Sequence, residues 1–205
     1  MKSTPSMLRS RKDPVDLSSD GVKPFKGGKP PLLAVSSFPL WPPSNGAVLR
    51  CSMILRELRN RWALHLVSPP WPEAQNLVLA GALSTFHSVP LEGRWTYFPG
   101  QYDPTPLVEA VGERIEAIAP PAALLFSGTE FLAREVEGFP PSVADRIDCM
   151  TLTAFRSLAR QRTTRKWLAS LHNLIRVFRY ERSVSRAPFA TVTVGDQDAR
   201  WLKWG

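Results

Sequence analysis

The chain has 205 residues, 43% of them hydrophobic, with 26 Lys and Arg against 18 Asp and Glu. That length holds one domain, or one domain with a tail, and the apolar content excludes a chain that is disordered throughout. The formal charge of +8, carried mostly by arginine, points to acidic partners: nucleic acid, an anionic membrane face or an acidic protein patch.

Residues 1–30 hold seven Lys or Arg and three Asp among Ser, Pro and Gly, with few large apolar side chains. Such a stretch cannot bury enough surface to offset its ordering entropy, so a disordered cationic arm is expected. It has no continuous apolar segment and no Gly at position 2, so neither a secretory signal nor myristoylation is expected. Residues 31–49 change character and carry no charge. Their prolines disfavour a helix, which makes Phe38, Pro39, Leu40, Trp41 and Pro42 an extended aromatic strip. It docks either on its own domain or on a neighbouring copy. The globular domain is then expected over residues 47–205, with 1–46 as arm and strip.

Within that domain Val48–Ile54 has strand-like composition, Glu57–Trp62 looks helical, and Ala63–Val67 returns to strand. Ser68-Pro69-Pro70-Trp71-Pro72 is a rigid loop before a helix over Glu73–Leu83, whose Leu77, Ala80 and Leu83 share a face. Arg94–Phe98 reads as a short strand and Leu107–Ile118 as a helix. Ala122–Phe126 and Glu130–Val136 read as strands joined by a tight turn at Ser127-Gly128. Ser142 followed by Asp145 resembles a capping box, which predicts a helix running to Met150. Leu152, Phe155, Leu158 and Ala159 mark one helical face. Trp167, Leu168, Leu171, Leu174, Ile175 and Phe178 mark another, expected to face the core with a solvated basic side. Phe189–Val194 closes the series as a strand, before a tail containing Trp201 and Trp204. The sum is an α+β fold: a single compact domain with a small antiparallel sheet packed by helices, behind a disordered basic N-terminal arm.

No catalytic constellation is visible. His65, His87 and His172 lie far apart without acids or Cys at motif spacing, and Cys51 and Cys149 are 98 positions apart. Neither a zinc pattern nor a disulfide framework is expected, and the cysteine usage suits a reducing compartment. No phosphate-cradling glycine loop or nucleophile elbow occurs. The expectation is a non-enzymatic protein with no cofactor, no metal and no small-molecule substrate. The basic C-terminal third favours anions instead. Arg162, Arg165, Lys166, Arg176 and Arg179, set among Trp167, Phe178 and Tyr180, put charge beside stacking surfaces, as a backbone-type nucleic-acid or nucleoprotein contact needs.

Three stretches carry a family likeness. Val89-Pro90-Leu91-Glu92-Gly93-Arg94-Trp95-Thr96-Tyr97-Phe98-Pro99, followed by Pro104-Thr105-Pro106-Leu107, resembles the central strand and Pro-rich loop of rhabdovirus matrix proteins. Asn76-Leu77-Val78-Leu79-Ala80 after Trp62 is similar to their second hydrophobic segment. Leu125-Phe126-Ser127-Gly128-Thr129-Glu130-Phe131-Leu132 is similar to their strand–turn–strand. The resemblance implies a structural protein of virion, host cytoplasm and inner membrane face that self-associates, binds anionic membrane and condenses the nucleocapsid during budding; nuclear entry stays open. It implies membrane contact through Lys2, Arg9, Arg11, Lys12, Lys23, Lys26 and Lys29, each worth about 1 kcal/mol near an anionic surface. It also implies self-association through Phe38–Pro42. Pro42-Pro43-Ser44-Asn45 lacks the tyrosine of the usual budding motif. The alternative is a nucleic-acid-binding accessory protein such as an RNA-silencing suppressor.

Overall fold

The computed structural model describes residues 28–40, 45–79, 81–91, 102–146, 149–185, 189–193, 195, 198 and 200. Pro31–Val35, the start of the uncharged strip, forms strand β1, and all of its residues are buried. It pairs in parallel with β2 (Ala63–Ser68) on one side and with β4 (Ala122–Phe126) on the other, so that Leu33 lies between His65 and Ala123. The ordered domain therefore includes a strand that the expected boundary at residue 46 had left in the strip.

With β3 (Thr85–Ser88), β5 (Ser142–Arg146) and β6 (Phe189–Thr193) the sheet has six strands in the order β3-β2-β1-β4-β5-β6, every pairing parallel. This is a doubly wound α/β arrangement, and it overturns the expected α+β fold with a small antiparallel sheet. The physical reason lies in the strands. PLLAV and AALLF are apolar at consecutive positions, so they must be buried on both faces. A sheet meets that requirement when helices cover both sides and each connection crosses over.

Alternation along the strands divides the core into two layers. Leu32, Ala34, Leu64, Leu66, Leu124 and Phe126 pack with Val48, Cys51 and Leu55 of helix α1 (Gly46–Leu58) and with Ala74 of α2 (Ala74–Leu79). Leu33, Val35, Val67 and Leu125 pack with Leu107 and Val111 of α3 (Thr105–Ile118), Leu132 of α4 (Leu132–Glu135) and Val184 of a later helix, α6 (Thr164–Val184). Between β5 and α6 runs α5 (Met150–Ala159), which packs along α6.

Several local expectations change. Val48–Ile54 is helical rather than extended: the Asn45 side chain accepts the Val48 N–H at 3.0 Å, and Val48, Cys51 and Leu55 recur on one face. The helix expected over Glu73–Leu83 is the shorter α2. Glu130–Val136 contains α4 instead of a strand, so no hairpin follows β4. Ser142–Arg146 is a strand, and Asp145 serves there as an ion-pair partner rather than a cap. Helix α3 agrees with expectation and ends on Ala119 in the left-handed region (φ 42°), ahead of Pro120 and Pro121. The strand expected over Arg94–Phe98 falls outside the described residues.

Candidate functional site at the carboxyl edge of the sheet

Strands β1 and β4 are neighbours, but the connection after β1 leads outward to β2 and that after β4 leads outward to β5. Helix α1 packs on one face and α4 on the other, so the two departing loops leave on opposite sides of the sheet at the carboxyl ends of β1 and β4, the crevice position of a doubly wound sheet, where Ser36, Ser37, Ser127 and Thr129 are buried and hydrogen bonds join the loops. In doubly wound sheets this reversal is where ligands bind.

Four adjacent strands run out into serine here: Ser88 ends β3, Ser68 ends β2, Ser36 follows β1 and Ser127 follows β4. The hydroxyls fasten the loops to the sheet. Ser36 Oγ donates to the Phe38 carbonyl at 2.6 Å, and Ser37 Oγ reaches the Ser127 carbonyl across the crevice at 3.5 Å. Thr129 Oγ1 lies 2.7 Å from the Phe126 carbonyl and 3.4 Å from that of Val35. The β4 turn is possible because Gly128 takes φ 91°.

Beneath that turn Glu130 is almost fully buried. Its Oε2 accepts the Gly128 N–H at 2.8 Å and the Tyr180 hydroxyl at 2.8 Å, and its Oε1 lies 3.3 Å from Arg146 Nε. Tyr102 donates to the Gly128 carbonyl at 3.3 Å. Burial, reinforced by the Glu130 charge, pushes both phenols above the ordinary tyrosine range. A second pair closes the neighbouring strand end: Arg50 of α1 holds Asp145 through Nε and Nη2, the shortest contact being 2.7 Å. Beside the crevice, a cavity of about 340 Å3 is bounded by Thr105, Val108, Phe131, Arg134 and Tyr180.

Residues that the sequence singled out fall elsewhere. Phe38 and Leu40 sit in the core of their own chain, 4% and 3% exposed, so these two side chains dock at home and present little surface to a neighbouring copy. Pro39 is buried too, while Trp41 and Pro42 lie outside the described residues. So do Lys2, Arg9, Arg11, Lys12, Lys23 and Lys26; Lys29 is exposed and donates to the Arg59 carbonyl at 2.6 Å. Arg162, Arg165, Lys166 and Arg179 are exposed and Arg176 half-buried, all on α6 or just before it. His65, His87 and His172 lie on β2, β3 and α6. Among the described residues no group of three or more His, Cys, Asp or Glu is placed to hold a metal. The crevice groups Glu130, Arg146, Tyr102 and Tyr180 were missed, since they come together from positions up to 78 apart with no local signature.

The apolar stripe of α6 departs most from expectation. Only Val177, Glu181 and Val184 of this 21-residue helix are fully buried, while Trp167, Leu168, Ile175 and Phe178 are between 42% and 55% exposed. Helix α6 is fastened through its last turns: Glu181 accepts the N–H groups of Met150 and Thr151 at the start of α5, at 2.8 and 3.0 Å.

No family model and no curated protein matches this chain. Among solved structures, it is similar to Glycyrrhiza uralensis UGT73P12 complexed with glycyrrhetinic acid 3-O-monoglucuronide, at 9% identity and a TM-score of 0.41. The alignment covers 87% of this chain and 51% of that one, so this chain spans about half its length. A likeness of that strength carries no functional argument.

Proposed function

We infer that the chain is a small-molecule-binding α/β domain that takes a polar, hydroxylated or phosphorylated ligand at the crevice between the β1 and β4 loops. The observation that carries this reading is the strand order, whose connections reverse direction between β1 and β4, the position at which doubly wound sheets take ligands. The serine-rich strand ends gather small hydroxyls at that edge, and the adjoining cavity of about 340 Å3 is of the size that small ligands fill. A dinucleotide is disfavoured: the β1 loop is Ser36-Ser37-Phe38-Pro39-Leu40 rather than a glycine-rich turn, and β2 ends on Ser68 and Pro69 rather than an acid. The ionisable groups around the crevice are engaged with one another, which favours binding over chemistry by this chain's own side chains.

The test is amide chemical-shift mapping with nucleoside monophosphates, nucleoside diphosphates and sugar phosphates. Saturable shifts at residues 36–38 and 127–130 are expected with at least one class. Shifts confined to α5 and α6, or none with any class, overturn the reading.

Assembly on acidic surfaces, as the matrix-protein resemblance implies, is retained as a second reading on one observation. Residues 150–184 contain eight Lys or Arg and one acid, a dense local excess of positive charge. That reading requires self-association. Sedimentation velocity should show salt-sensitive oligomers, and a monomer at every concentration removes it.

A further inference from the structure

Helix α1 carries two stripes at helical spacing. Val48, Cys51 and Leu55 are buried against the sheet, while Leu49, Ser52, Met53, Arg56 and Arg59 recur along the flank. Leu49 and Met53 are 50% and 49% exposed. This flank forms one wall of a cavity of about 310 Å3, which Leu77 of α2, Leu83, Leu66 of β2 and Trp71 also line. No acid lines it among the described residues, and its two charges, Arg56 and Arg59, sit at the end of α1. Arg56 lies 3.7 Å from Glu57 with both side chains exposed, and Arg59 has no ion pair among the described residues. Lys29 donates to the Arg59 carbonyl at 2.6 Å, which offsets the negative end of the helix dipole there. Trp71 is 7% exposed and packs edge-on against Phe86, and its indole N–H has no acceptor among the described residues. A buried donor left open is an exception that needs a cause.

We propose that the cavity between α1 and α2 binds a short alkyl carboxylate, its chain among the leucines and Met53 and its head at Arg56 and Arg59. Charge complementarity selects the head: two guanidinium groups with no acid beside them in the lining favour an oxyanion and oppose a cation. The walls select the body, because aliphatic side chains and an adaptable methionine suit a flexible hydrocarbon chain. A volume of about 310 Å3 holds about ten groups the size of a water molecule, which matches an eight-carbon chain with its carboxylate oxygens. A wholly apolar ligand would leave the guanidinium groups and the Trp71 N–H alike without an acceptor. A sugar phosphate or nucleotide would leave the leucines without a partner. The inference goes beyond the crevice reading and does not rest on it. Leu40, Leu66, Trp71 and Leu83 belong to the core on the α1 face of the sheet, whereas Phe131 and Val108 beside the crevice belong to the other.

The experiment is a chemical-shift titration of the full chain with octanoate, 1-octanol, octylammonium and acetate at one ionic strength, below micelle-forming concentrations. Saturable octanoate shifts are expected at residues 49–59, 77 and 83 and at the Trp71 indole N–H. Octanoate should bind at least about tenfold more tightly than octylammonium, with 1-octanol between them. Acetate, which has the charge without the chain, should give no saturable shifts there, so attraction to the chain's net charge of +8 cannot mimic the result. Arg56→Gln with Arg59→Gln should weaken octanoate by roughly tenfold and leave 1-octanol and the melting temperature unchanged, since both side chains are exposed. Met53→Gln should weaken octanoate and 1-octanol alike, by roughly threefold. Equal affinity for octanoate and octylammonium overturns the proposal, as does undiminished octanoate binding by the arginine variant. So do octanoate shifts confined to residues 36–38 and 127–130, which would assign the anion to the crevice instead.

Discussion

Glu181, in the last turn of α6, accepts the backbone N–H of Met150 at 2.8 Å, 31 positions earlier in the chain. The same carboxylate takes the Thr151 N–H at 3.0 Å, which satisfies two of the donors left open at the start of α5. An anion at a helix N-terminus also complements the helix dipole. Glu181→Ala should therefore destabilise the protein by about 2 to 3 kcal/mol, since it orphans buried donors, and Glu181→Gln by less. Urea denaturation measures the loss, and hydrogen exchange at residues 150–152 should locate it.

Glu130 has three partners from three parts of the chain, and their removal is graded. Tyr180→Phe deletes one hydrogen bond to a charged acceptor, a loss of about 1.5 to 3 kcal/mol. Arg146→Met leaves a buried carboxylate without its counter-charge and should lose more, about 3 to 5 kcal/mol. Adding Glu130→Gln to Arg146→Met should recover part of that loss, a coupling that a double-mutant cycle on urea stability reads out.

His65 supplies a pH dependence. Its ring lies 3.0 Å from the Thr85 hydroxyl, and burial followed by the Arg114 charge lowers its pKa in the folded state. The unfolded chain then takes up a proton that the folded chain resists. Stability is fully present above the ordinary imidazole pKa and declines as pH falls through it. Urea stability measured between about pH 7.5 and about pH 5.5 should fall, and His65→Gln should flatten that part of the curve.

Ala119 adopts φ 42° at the end of α3, where a Cβ is strained. Ala119→Gly should stabilise by about 0.5 to 1 kcal/mol, the relieved strain exceeding the added freedom of the unfolded chain. A lowered melting temperature would contradict this.

Both cysteines should resist alkylation. Burial, with the Asp145 charge second, pushes the Cys51 thiol up to about 12, and burial with the Glu181 charge pushes Cys149 up to about 11. At mildly alkaline pH iodoacetamide should label neither until denaturant is added.

What was legible in the sequence follows a physical pattern. Helix α3 and strands β2, β4 and β6 declared themselves through long periodicity or dense apolar runs. The parallel topology was present in the same runs, because consecutive apolar residues in Leu32–Val35 and Ala123–Phe126 require helices on both sides of the sheet. It was obscured where short segments satisfy two patterns at once. Ser142 and Asp145 have the spacing of a cap, yet Asp145 is held by Arg50, 95 positions away. The 125–132 stretch, similar to a strand–turn–strand, becomes a helix after the turn because Glu130 is drawn inward by Tyr180 and Arg146. The α6 stripe was legible as periodicity but not as exposure, since an apolar face has the same spacing whether it meets a core or open surroundings. The crevice depends on chain order across the sheet, which no local residue pattern encodes.

The anchoring of α6 by its final turns has a mechanical meaning. Tyr180 holds the β4 turn through Glu130, and the next residue, Glu181, holds α5, so one short stretch serves as a pivot. Trp167 lies 14 residues away along a rigid rod, about 21 Å at 1.5 Å per residue. A 10° rocking at the pivot would sweep the far end through about 4 Å, so the helix works as a lever that magnifies any adjustment of the turn beneath it.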